Sequence, residues 1–168
     1  QIGRELLDFY QTRYPGLTEA KPPLMTDDRA ANRVTVVEIY FLPFTALDQN
    51  GLRQDFVFAS EGLVNRYPDP QSTPRRLPMF VGGPWSFTHI VEVSDAPIDF
   101  NPPEDEVISN PAFDFSFKGA ASEGGGMGLT WTYNPKAHAV PAEQVAGVLQ
   151  DVEAVRDATW FSWDLTPD

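Results

Sequence analysis

The chain has 168 residues, 42% of them hydrophobic, with 12 Phe, 5 Tyr and 4 Trp, a length and make-up that predict one folded domain, residues 1–168, with an aromatic-rich interior. Its 24 acidic against 12 basic side chains leave a formal charge of −12, which repels phosphate backbones and argues against a nucleic-acid partner. With no cysteine, disulfides, thiolate nucleophiles and Cys-ligated zinc or iron–sulfur centres are excluded.

The first segment, IGRELLDFYQTRYPGL, sets Ile2, Leu6, Phe9, Tyr10 and Tyr14 at helical spacing and stops at Pro15-Gly16, predicting an amino-terminal helix lying on the core. Thr18 to Asn32 is polar and broken by Pro22-Pro23, which reads as a loop with a short helical turn at DDRAAN. Residues 34–42 are apolar on both faces apart from Thr35 and Glu38, the pattern of a strand in the middle of a covered sheet. Asn50-Gly51 then offers a tight hairpin turn, with RQDFVFAS as the returning partner strand.

EGLVNRY predicts a short helix, and the prolines at 68, 70, 74 and 78 make the next stretch loop or polyproline-like. SFTHIVEV, residues 86–93, alternates as a strand with Phe87, His89, Val91 and Val93 on its apolar face. SDAPIDFNPPEDEVISNP carries five acids and no base, which reads as a solvated loop. AFDFSFK and MGLTWTY alternate cleanly on either side of GAASEGGG and predict a half-exposed antiparallel hairpin with a mobile tip. PAEQVAGVLQDVEAVRDA spaces Val145, Val148, Leu149, Val152 and Val155 along one helix face behind Pro141. TWFSWDL closes as a strand. The expected class is α+β, a mainly antiparallel β-sheet with an N-terminal and a C-terminal helix packed on it.

Candidate chemistry is sparse. His89 stands in an apolar row, and pleating points Glu38 toward a similar environment. If their strands neighbour each other, Glu38 could orient His89 as acid or base of a cofactor-independent proton transfer; a buried structural pair is the plainer reading. His138 lies in a loop, and no His-x-His or His-x₃-His spacing supports a metal. The acidic stretch lacks the EF-hand order, SEGGGMG lacks the lysine and order of a phosphate loop, and PRRLP is a weak anion or docking signal. Ser60, Ser86 and Ser162 carry no nucleophile motif. Trp131, Trp160 and Trp163 could line an apolar ligand pocket or simply fill a core.

No apolar run approaches the roughly 20 residues that span a bilayer, and the first residues lack a signal-peptide pattern. The expectation is therefore a soluble protein without membrane insertion, cytoplasmic or secreted after processing. No Asn-x-Ser/Thr site is present. The leading functional expectation is a non-enzymatic acidic module that binds a protein partner, of the inhibitor or immunity kind. Its recognition surface is expected at Asp95, Asp99, Phe100, Glu104, Asp105 and Glu106. The alternatives are a small-molecule-binding or cofactor-independent enzyme domain (isomerase, cyclase or lyase) with an aromatic pocket, and a structural component of a larger assembly. No cofactor or metal is implied.

Overall fold

The computed structural model describes residues 2–42, 54–64, 77–81, 85–94, 101–121 and 126–165. The chain divides into two compact units, Gln1–Gln54 and Asp55–Asp168.

In the first unit, helix α1 (Ile2–Gln11) ends just before Gly16, whose φ of 88° admits the reversal that follows. Leu6, Leu7 and Tyr10 are its half-buried positions. The chain then forms a long antiparallel hairpin from β1 (Thr18–Asp28) and β2 (Arg33–Phe41). Its turn is set by Asp28, whose Oδ1 accepts the Ala31 N–H at 3.0 Å, and by Asn32, which takes a left-handed φ of 49°. Arg29 pairs with Asp27, and Arg33 with Asp28, at the same end.

Two expectations are corrected here. The stretch from Thr18 is a strand rather than a loop, because β1 lies at an edge and absorbs Pro22-Pro23 in two register irregularities between Glu19 and Leu24. DDRAAN is accordingly a hairpin turn instead of a helical one. Moreover β2, expected in the middle of a covered sheet, pairs only with β1 among the described residues, and Val34, Val36, Val37, Ile39 and Phe41 are all exposed.

The second unit is built on a four-stranded antiparallel sheet in the order β5-β8-β7-β6, from β5 (Phe87–Ser94), β6 (Glu106–Ser109), β7 (Phe113–Ala121) and β8 (Gly126–Pro135). Period-two alternation sorts its faces. Phe113, Phe115, Phe117, Met127, Leu129, Trp131 and Tyr133 point inward and are buried, with Phe87, His89, Val91 and Val93 half-buried beside them. Opposite them, Thr88, Ile90 and Lys118 are exposed, with Ser116, Thr130 and Thr132 only partly covered.

Helix α3 (Val145–Ala158), entered through a 3₁₀ turn at Ala142–Gln144, buries Val145, Val148, Val152, Val155 and Ala158. It is fastened to the sheet at two places. The Trp131 indole N–H donates to the Ala158 carbonyl at 2.8 Å. Asn110 Nδ2 donates to Asp151 at 2.9 Å, while its Oδ1 accepts the backbone N–H groups of Ala112 and Phe113.

Two further pairs complete the unit. Strand β3 (Gln54–Ala59) pairs with β10 (Trp160–Leu165), and β4 (Met79–Phe80) with β9 (Ala139–Val140). Thus RQDFVFAS is a strand, as expected, but its partner is β10 rather than β2. A short helix α2 (Glu61–Val64) follows β3. The turn expected at Asn50-Gly51 lies outside the described residues.

The α+β expectation is corrected. Among the described residues strands make up 52% and are shared among four sheets, so what is described is mostly β. Of the two helices expected on one sheet, α3 alone covers the sheet core, and α1 belongs to the other unit beside β1. The sequence pattern misleads because 18–28, rich in proline and charge, is a strand, as is 106–109 at the end of an acidic, proline-containing run.

Candidate functional site

His89 lies on the inward face of β5, directly opposite Trp131 of β8, which in turn faces Phe117 of β7 and, beyond it, Glu106 of β6. The imidazole stacks on Trp131 with centroids 5.5 Å apart and planes inclined by 27°. Trp131 stacks equally on Phe117 at 5.1 Å. His89 is therefore part of an aromatic row across the sheet, half-buried at its β5 end.

Glu38 accepts the Tyr40 hydroxyl at 2.7 Å on β2, and Tyr40 leans on Tyr10 of α1 at 5.5 Å. Burial first, then the neighbouring Glu38 carboxylate, pushes the Tyr40 phenol upward. Glu38 stands on β2 in the Gln1–Gln54 unit and His89 on β5 in the Asp55–Asp168 unit.

Within the expected acidic surface, Asp95, Asp99 and Phe100 lie outside the described residues. Glu104 and Asp105 are exposed, and Glu106 is half-buried as the first residue of β6. What was expected to be loop throughout thus ends in an edge strand. Gly119 of β7 holds the approach to it, since a methyl group there would overlap the ring of Pro103. Of the tryptophans, Trp131 is 0% exposed, so its surface is wholly taken up by its neighbours, whereas Trp160 at the start of β10 is 43% exposed. The side chain of Trp163 lies outside the described residues.

Among the serines, Ser60 is fully buried, and its hydroxyl has no hydrogen-bond partner among the described residues; it is sealed from any substrate. Ser86 and Ser162 are exposed. His138 is exposed, and its carbonyl accepts the Val81 N–H. Among the described residues no three His, Asp or Glu side chains gather in a way that could hold a metal ion, and no helix is long and apolar enough to cross a membrane.

One cluster was not legible in the sequence. On the outward face of the sheet the Ser109 hydroxyl donates to Asp114 at 2.6 Å, and the Lys136 ammonium donates to Asp114 at 2.9 Å and to Ser109 at 3.1 Å. A serine beside a lysine suggests a nucleophile and its base. Here, however, the ammonium donates to the hydroxyl instead of accepting its proton, so the trio is a polar clasp joining β6, β7 and the chain beyond β8. The Ser109 hydroxyl first, then Lys136, holds the Asp114 carboxyl below the ordinary carboxylate range. The stability this lends is present above that range and lost as pH falls through the lowered value. Asp114→Asn is expected to melt slightly below wild type at neutral pH and to match it in stronger acid, in paired thermal melts.

The largest unassigned feature is the hairpin. On one face Leu24 (63% exposed), Val37, Ile39 and Phe41 (59%) form an apolar stripe; on the other stand Met25, Val34 (62%) and Val36. No family model, curated protein or solved structure matches the chain.

Proposed function

We propose that the chain is a protein-binding module and that the β1–β2 hairpin is its recognition element. The observation that carries this reading is the exposure of apolar side chains on both faces of a two-stranded ribbon whose turn is locked by Asp28, Asn32 and two ion pairs. A ribbon of two strands is marginal in water without further cover, and contiguous exposed apolar surface is characteristic of interaction sites. The acidic residues Glu104, Asp105 and Glu106, with the net charge of −12, then act on the rate and salt dependence of association more than on its strength.

The test is capture of protein from the native source. A variant with Val37→Lys and Ile39→Lys is expected to lose about tenfold or more in binding, some 1.4 kcal/mol. Ile90→Lys, on the exposed face of the four-stranded sheet, is expected to bind as wild type. Equal capture by all three proteins sinks the proposal.

A further inference from the structure

The exposed stripe belongs to a ribbon whose two edges differ. The edge of β1 carries Pro22 and Pro23, which lack N–H donors, and two register irregularities, devices that blunt a strand edge against pairing. Strand β2, RVTVVEIYF, has no proline, and no strand among the described residues ladders to its outer edge. Resting on the reading of the hairpin as the recognition element, we infer that this edge takes the β2 strand of a second copy of the chain, antiparallel about a two-fold axis, joining two hairpins into one four-stranded sheet.

Charge is what selects a second copy. Residues 18–41 hold four acidic and three basic side chains, two of the pairs already matched at the turn as Asp27–Arg29 and Asp28–Arg33. Almost all of the net charge of −12 lies elsewhere in the chain and repels its own kind. The hairpin itself is nearly neutral and adds little to that repulsion when two identical chains meet there.

Shape agrees. Antiparallel self-pairing needs one free edge only, and a two-fold axis perpendicular to the sheet keeps each face with its like. With Val37 on the axis, Thr35 lies across from Ile39, Val36 from Glu38, Val34 from Tyr40 and Arg33 from Phe41. No acid directly faces an acid in that register. On one face Val37 then meets its own counterpart, and on the other Val34 meets Tyr40, adding apolar cross-strand pairs on the edge opposite β1.

The experiment is sedimentation of the intact chain over a range of concentrations, with circular dichroism as the fold control for each variant. The expected result is a monomer–dimer equilibrium that Val37→Lys shifts toward monomer by about tenfold or more in dissociation constant, with Ile90→Lys unchanged. Because the chain has no cysteine, a single Val37→Cys substitution reports position without background. Under mild oxidation it is expected to link two chains, as residues opposed across an antiparallel pair fall within disulfide reach. Val107→Cys, exposed on β6, is expected not to link. A strict monomer overturns the inference, as does a dimer indifferent to Val37→Lys. A monomer whose capture of another protein still falls with Val37→Lys overturns the second copy while leaving the hairpin as the recognition element. A monomer whose capture is indifferent to that change removes both.

Discussion

Trp131→Ala is expected to lower the stability of the Asp55–Asp168 unit by about 3–5 kcal/mol, the usual cost of emptying a large aromatic site in a packed core. Trp131 is wholly buried between His89 and Phe117, so its loss unstacks two rings at once. It also orphans the Ala158 carbonyl at the end of α3. Trp131→Phe separates the two effects: it keeps an aromatic ring in the row and removes the indole donor, for an expected cost of about 1–3 kcal/mol. Urea unfolding followed by far-ultraviolet circular dichroism checks both. A Trp131→Ala variant within 1 kcal/mol of wild type, about a fivefold change in the folding equilibrium, would show that the row does not hold the unit together.

Asn110→Ala is expected to cost about 2–4 kcal/mol, since it strips partners from two backbone N–H groups and from the Asp151 carboxylate in one step. The informative companion is Asn110→Asp. It retains an oxygen for Ala112 and Phe113 but sets a second carboxylate against Asp151. Like charges that close favour protonation of one of them. The variant is therefore expected to be strongly destabilised at neutral pH and to recover relative to wild type as pH falls and the pair takes up a proton. Unfolding midpoints at neutral and mildly acid pH check this; a deficit that does not shrink in acid would mean that Asp151 is not the partner that matters.

The parts of the fold that could be read in advance are those where one face of an element is covered by its own unit. Strands β5, β7 and β8 and helix α3 show their periods plainly because burial imposes them. His89 could be assigned to the inward face by the same alternation. Strand β1 was hidden because Pro22-Pro23 is a loop signal everywhere except at an edge. Pairing of β2 with β3 was suggested by Asn50-Gly51, the stronger local turn signal, whereas the observed turn is built from Asp28 and Asn32. Apolar residues on both faces of β2 promised burial and are exposed. The Ser109–Asp114–Lys136 clasp and the Asn110–Asp151 bond depend on register between segments far apart in the chain, and no local pattern encodes register.

The β3–β10 pairing has a consequence for how the molecule is made. A chain emerging from the ribosome presents Gln54–Ala59 about a hundred residues before Trp160–Leu165 exists to receive it, and β4 likewise waits for β9. Such distant closures carry a large entropic cost before any contact rewards them, and they slow folding. The β5, β7 and β8 strands, by contrast, are joined in near succession and can assemble early, leaving β3 and β4 to wait longest for the partners they pair with.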